Sequence, residues 1–489
     1  MTDSLTLTAP APERPDGVDD DCWLACIACG ATFPPFDDVR YTCDDCDGLL
    51  EVRYADLPDW DDFSGRGVWR YAAALPFETG RTHAPGPDEP PAGVSLPEGD
   101  TPLYEAPTIE ADLGIERLRV KHEGMNPTGS FKDRGMTVGV GVADAVGVDR
   151  LACASTGNTS AALAAYGARA GMETLVLLPA GKVAAGKVAQ AALHDARILE
   201  VDGNFDDCLD IVQELAARGE AYLLNSLNPF RLEGQKTIGL EILEAFHADY
   251  GWYPDRIVLP VGNAGNTAAL YKAFRELVKG GDLAPGDVPK LTGVQAEGAA
   301  PMVEAIEEGT DDTRRWAEVE TVATAIRIGN PVNAPKALPG IRETGGTAVA
   351  VSDEEIPDAQ RALAAEGVER WDSVETRATA IRIGEPVNAP KALPGVRETG
   401  GTAVAVDDEA ITEAQRALAR QGIGVEPASA ASIAGLRKLR AEGVVSDDER
   451  VVCLTTGHLL KDPEAAAAAG GEPEPVADDV EAVLSLLGS

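Results

Sequence analysis

The stretch "NPTGSFKDRG", from Asn126 to Gly135, sets Lys132 among residues that build tight turns. Asn126, Pro127, Thr128, Gly129 and Ser130 order backbone closely around a point. An amine fixed in such a loop can attack a carbonyl or move a proton. Taken alone, the motif describes no more than a solvated lysine beside a turn. Two further loops supply a context for it. "STGNTS", Ser155 to Ser160, follows the apolar run at 151–154, and "GNAGNT", Gly262 to Thr267, follows the apolar run at 257–261 and precedes a helical pattern. In the second, glycines permit close backbone approach, and the N–H groups of a helix N-terminus point at an anion without a cation nearby. No Gly-Lys-Ser/Thr follows, so it is not a nucleotide-binding P-loop.

A second kind of chemistry stands near the N-terminus. Five of the eight cysteines precede residue 47, and four form two pairs, Cys26-x-x-Cys29 and Cys43-x-x-Cys46, separated by 13 residues. That spacing brings four thiolates to tetrahedral distance on two adjacent turns, the pattern of a structural zinc ribbon. Gly30 and Gly48 follow the pairs and give the backbone room to fold around an ion. Cys22 is left over as a non-ligand. A four-cysteine site is closed, so it stabilises and does not catalyse. Cys153, Cys208 and Cys453 read as buried small hydrophobes.

These residues must be positioned by a large fold. The 489 residues suffice for about three domains. Apolar strands alternate with helical segments: "RLACA" then "TSAALAAYGARAG", "ETLVLLP" then "AGKVAQAALHD", "AYLLNS", and "RIVLPVG" then "TAALYKAFREL". This is the α/β pattern with mainly parallel sheets, in which ligands sit beyond the carboxyl ends of strands. Residues 1–20 are expected to be disordered and 80–95 to be a Pro/Gly-rich connector. The part after 465 reads as an acidic tail.

One segment occurs twice. The 50 residues from Trp316 (316–365) recur from Trp371 (371–420), and 40 of the positions are identical. Two copies do not make a solenoid. Only one can fill a given slot in a core, and the sequence does not say which.

Composition narrows the setting. Against 42 basic residues stand 81 acidic ones, a formal charge of −39. Self-repulsion of that size is relieved by concentrated salt, so we read it as adaptation to a saline cytoplasm. It also argues against nucleic acid as the main partner. No run approaches the roughly 18 apolar residues of a membrane span, and the N-terminus lacks a signal peptide's basic start and apolar core.

A loop lysine, a phosphate cradle and an Asn-rich anion loop suggest pyridoxal 5′-phosphate. The set "EGMNPTGSFKDRG", "STGNTSAALAAYGARAG", "LPVGNAGN" and "GVEPASAAS", with "EGDTPLYEAP" ahead and "LTTGHLLKDP" behind, resembles the fold-type II pyridoxal-phosphate enzymes. Among these it is most similar to the threonine synthases, over about residues 21–465. The resemblance implies two open α/β domains with mainly parallel sheets plus a small N-terminal zinc ribbon. The expected division is a ribbon at 21–60 and a catalytic region at 61–465, whose small subdomain spans about 130–228, followed by a tail at 466–489.

The same resemblance implies roles. Lys132 holds the cofactor and later acts as the base. Asn158 faces its ring hydroxyl, Gly262, Asn263, Ala264, Gly265 and Asn266 surround its phosphate, and Thr456 meets the pyridine nitrogen. Ser155, Thr159, Lys187, Asn225, Ser226 and Arg231 bind the phosphate of O-phosphohomoserine, which would yield threonine by γ-elimination and addition of water. Threonine dehydratase and cysteate synthase are the rivals within the fold, and an inactive binding homologue is the rival outside enzymes. A homodimer is what the resemblance suggests.

Overall fold

The computed structural model describes residues 6–7, 13–15, 21–77, 94–155, 157–180, 185–202, 205–296, 300–307, 348–349, 389–463 and 465–466. Most of the expected disordered start, the connector, the first repeat copy and the acidic tail lie outside them. Within them are 14 strands in three sheets.

The N-terminal sheet is antiparallel, with β1 (Cys22–Cys26) between β2 (Thr32–Phe33) and β3 (Leu50–Tyr54). Next in the chain come β4 (Leu103–Glu105) and β5 (Arg117–His122). A smaller four-stranded sheet follows, from β6 (Arg150–Ala154), β7 (Glu173–Pro179), β8 (Arg197–Val201) and β9 (Tyr222–Leu223), all parallel and in the order β8-β7-β6-β9. The chain then completes a larger sheet with β10 (Arg256–Pro260), β11 (Lys290–Ala296), β12 (Ala348–Val349), β13 (Ala403–Val406) and β14 (Arg450–Thr455). Its order is β12-β13-β11-β10-β14-β5-β4, parallel except for the edge strand β4.

The inner strands of the two parallel sheets are apolar on both faces and covered on both, as parallel pairing requires. Successive residues of β10 show this: Ile257 and Leu259 enter one core with the helices Phe230–Tyr250 and Gly265–Gly280, whereas Val258 enters the other with the helix Pro427–Ala441. In the smaller sheet, Leu151 and Cys153 face the helix Asn158–Ala170, and Ala152 and Ala154 face the helix Phe205–Ala217. Cys153, Cys208 and Cys453 are all buried and free.

The repeat is resolved by packing. The described slot is filled by the second copy: its helix Ala389–Glu398 buries Ala392, Leu393 and Val396 in the core beside Tyr271 and Phe274, and β13 pairs with β11. Two glycines are required there. A Cβ on Gly395 would stand 2.3 Å from Tyr271, and one on Gly401 would stand 1.6 Å from the Leu291 carbonyl oxygen. The next helix, Asp408–Arg420, opens on Asp407, whose side chain accepts from Ala410 N–H at 2.7 Å. Ala410 packs on the core, and Thr412 is buried with its hydroxyl on Asp408 O. The first copy has Glu355 and Pro357 at these two positions. A glutamate would put a charge against apolar side chains, and a proline would remove a helix N–H and clash with the preceding turn. The second copy therefore fits better. Ala348 and Val349 of the first copy form β12 and pair with their own counterparts, Ala403 and Val404.

Candidate active site

The order β10-β14-β5 in parallel places three carboxyl ends side by side on one edge of the larger sheet. From β5 the chain enters the lysine loop, from β14 it reaches Thr456, and from β10 it enters the Gly262–Asn266 loop. Strand geometry alone thus converges three of the loops singled out in the sequence.

The lysine loop is fixed from below. Gly129 sits at φ 84°, a left-handed conformation that glycine adopts readily. Asp133 accepts from Thr128 N–H at 2.6 Å and from the Thr128 hydroxyl. Asn126 donates to Glu123 O and Oε2. The loop is then zipped to the end of β14: Phe131 N–H donates to Thr456 O at 3.1 Å and His458 N–H to Gly129 O at 3.0 Å.

Lys132 opens the helix Lys132–Ala145, which crosses the helix Phe230–Tyr250 at two glycines. A Cβ on Gly234 would lie 1.8 Å from Arg134 O, and one on Gly135 would lie 2.9 Å from Arg231 O. Close crossing brings Arg231 near Lys132. Beneath it, fully buried Arg134 pairs with Glu123 and Glu241, both at 2.7 Å, and Lys121 pairs with Glu241 at 2.6 Å. The crossing is locked by charge as well as by shape.

Electrostatics follow from this crowding. Burial, then the Arg231 charge, lowers the Lys132 ammonium to about 7, with Glu426 opposing. Nζ also lies 4.3 Å over the Phe131 ring. A large part of the lysine is therefore neutral and basic at neutral pH, as a proton-moving residue requires. Arg231 is 2% exposed, and its Nε and Nη2 have no hydrogen-bond partner.

The other expected residues fall as follows. Asn158 begins the helix Asn158–Ala170 and its Nδ2 donates to the Glu426 carboxylate at 3.2 and 3.3 Å. Ser155 Oγ accepts from Gly157 N–H, and Thr159 is half-buried. Asn225 spends its amide on the backbone of Ala154, accepting from N–H at 3.0 Å and donating to C=O at 2.9 Å. It clamps the end of β6, directly before Ser155. Ser226 follows it, half-buried. Lys187 lies in the helix Ala185–Leu193, its side chain outside the described residues.

Gly262, Asn263, Ala264, Gly265 and Asn266 form the turn into the helix Gly265–Gly280. Ala264 takes φ 58°, and no side chain caps that helix start. Thr267 Oγ1 is buried there without a partner, as is Ser130 Oγ in the lysine loop. Backbone N–H groups at a helix start and orphaned hydroxyls are what a phosphate-bearing group satisfies, so the residues present fit pyridoxal phosphate. Thr456 is held by Ser429, whose Oγ lies 3.0 Å from Thr456 Oγ1 and accepts from the N–H groups of Thr456 and Gly457. Ser429 and Thr267 were not among the expected site residues, although both stand in motifs that were read. His458 turns its Nδ1 to Leu460 N–H at 3.2 Å, a satisfied structural residue.

At the ribbon, the sulfurs of Cys26, Cys29, Cys43 and Cys46 all lie within 4.8 Å of one another. A Cβ on Gly48 would stand 2.8 Å from Cys26 Sγ, so the cluster leaves no room for one. Buried Cys22 stands outside the four. The N-terminal sheet is tied to the helices Phe230–Tyr250 and Gly265–Gly280 through Tyr54 OH to Glu233 at 2.6 Å and Arg275 to Glu51 at 2.6 Å.

Comparison with known proteins gives the family. The pattern of the family described as pyridoxal-phosphate dependent enzyme matches residues 94–370 and 367–457, the seam falling between the two repeat copies. The chain is 49% identical over 469 residues to the threonine synthase of Methanosarcina acetivorans, covering 95% of this chain and 98% of that one. It is 46% identical over 474 residues to the threonine synthase of Methanocaldococcus jannaschii, covering 94% and 98%. Maize serine racemase shares the fold at 18% identity, with a TM-score of 0.52 over 73% of this chain and 88% of that one. No helix among the described residues is long and apolar enough to cross a membrane. The chain belongs to the pyridoxal-phosphate-dependent enzymes and, among them, to the threonine synthase family.

Proposed function

We propose that the site converts O-phospho-L-homoserine and water into L-threonine and inorganic phosphate. The observation that carries this reading is Arg231, a buried guanidinium with two unpaired nitrogens close to the catalytic lysine. An uncompensated buried cation asks for an anion, and a substrate phosphate supplies it. Ser155, Thr159, Ser226 and Lys187 complete the donor set. Asn225 contributes by holding the end of β6 in place.

Lys132, Asn158, the Gly262–Asn266 turn with Thr267, and Thr456 would hold the cofactor. When bound, it supplies an electron sink that stabilises negative charge at the substrate carbons. Lys132 Nζ takes the proton from Cα, passes it to the substrate phosphate and, neutral again, takes a second from Cβ, which it delivers to Cγ. The Cγ–O bond breaks, phosphate leaves toward Arg231, and a proton replaces it at Cγ. Water adds at Cβ, and Lys132 returns a proton to Cα. The neutral Thr456 hydroxyl, held by Ser429, would meet the pyridine nitrogen. It withdraws less charge than a carboxylic partner and favours elimination and replacement.

The four-cysteine cluster is read as a structural zinc site, and the charge of −39 as an adaptation to concentrated salt. A cytoplasmic homodimer is the setting implied by the family resemblance. The test is turnover by the full chain in multimolar potassium chloride. Equal amounts of threonine and phosphate from O-phosphohomoserine support the reading; a chain that binds the cofactor yet releases neither refutes it.

A further inference from the structure

Glu426 takes no part in the steps above, yet the fold is shaped around it. It occupies the N-cap position of the helix Pro427–Ala441, where a side chain would ordinarily cap the helix, and makes no such bond. Its carboxylate turns into the site and accepts from Asn158 Nδ2 at 3.2 and 3.3 Å. The backbone is pinned from the opposite side, with Glu426 N–H donating to Gly457 O at 3.1 Å and Val425 bridged to His458. Gly457 leaves the space: a Cβ there would stand 2.2 Å from Glu426 Oε1. The charged groups facing this carboxylate are Lys132, from the helix it opens, and Lys461 and Asp462, from the segment after β14.

We propose that Glu426 is a positioning residue, which holds the Asn158 amide toward the cofactor's ring hydroxyl and supplies a counter-charge to Lys132. The inference rests on the cofactor reading above. In its ionised form the Glu426 carboxylate only accepts, and Asn158 presents Nδ2 to it. That fixes the orientation of the amide and leaves the second Nδ2 hydrogen for the cofactor. The charge acts on Lys132 directly. Burial pushes Glu426 up to about 7 while it brings Lys132 down to about 7, so the two groups exchange protonation over one pH range. Removing the negative charge makes Lys132 a weaker proton acceptor.

The test compares Glu426→Gln, Glu426→Ala and Glu426→Asp in the full chain. Lys132 acylation in the cofactor-free protein is followed against pH by peptide mass spectrometry, alongside cofactor Kd and melting of each variant. Glutamine keeps an acceptor for Asn158 but no charge. Its Lys132 midpoint should fall by about 0.5 pH unit or more, with Kd changed less than about threefold. Alanine loses both, so the midpoint falls and Kd rises about tenfold or more. Aspartate should recover part of the midpoint shift. An unchanged midpoint in Glu426→Gln, or an unchanged Kd in a folded Glu426→Ala, overturns the proposal. Lys132→Ala serves as a separate control, because covalently held cofactor in that variant would overturn the cofactor reading itself.

Discussion

Replacing Arg231 with methionine should stabilise the cofactor-free protein while removing its response to phosphate. The guanidinium is 2% exposed, with two N–H groups unpaired. Burial brings it down to about 10, a drop that corresponds to roughly 3 kcal/mol against the charged form. Two orphaned donors at about 1–3 kcal/mol each give a similar figure by a separate route. Both the folded and the unfolded values lie above pH 7, so the cost is fully present at neutral pH. Methionine has similar reach and no unmet donors, and we expect a net gain of roughly 1–3 kcal/mol. For a chain of this size that is a rise in Tm of about 1–3 °C. The assay is thermal melting of the cofactor-free protein, with and without inorganic phosphate. Wild type should melt higher with phosphate, whereas Arg231→Met should melt higher without it and gain nothing from it. A variant that melts below wild type and still responds to phosphate would refute the reasoning.

Three further outcomes follow from the same physical arguments. Glu241→Gln leaves Arg134 and Lys121 short of a buried partner and should cost roughly 3–5 kcal/mol in urea unfolding at pH 7; since the Glu241 carboxyl is held below its ordinary range by Arg134 and Lys121, the gap should narrow as pH falls below about 4.5. With the cysteine cluster read as a zinc site, chelator treatment or Cys43→Ser should lower Tm while leaving the bound cofactor's absorbance unchanged, because none of the four cysteines stands in the loops at the carboxyl ends of β5, β10 and β14. Deleting 316–370 should leave a folded, cofactor-binding chain, whereas deleting 366–420 should leave a less stable one by denaturant melting, because Pro357 and Glu355 would then occupy the places of Thr412 and Ala410.

Much of this site was legible in local sequence, because its loops carry their own chemistry. Lys132 sits in a turn whose residues announce it, and four cysteines at ribbon spacing have few other uses. The strand-to-helix alternation also placed the loops at carboxyl ends, where parallel topology then gathered them. What stayed hidden depends on partners far apart in the chain. Glu426 meets Asn158 across 268 residues, and nothing beside either residue marks the contact. Asn225 is expected from the resemblance as a phosphate ligand, and its hold on the Ala154 backbone appears only in the fold. Nothing in the local sequence marks Arg134, Glu123 and Glu241 as buried, and the fold pairs them beside the glycine crossing. The choice between repeat copies turned on Thr412 and Ala410, whose importance comes from what covers them.

The most direct test of the central claim is the fate of water oxygen during turnover of O-phosphohomoserine in ¹⁸O-labelled water. Elimination followed by hydration breaks the Cγ–O bond, so label should appear in the threonine hydroxyl, with the initially released phosphate unlabelled. Label in the released phosphate, with homoserine as the other product, would mean that the P–O bond is cut and would contradict the account.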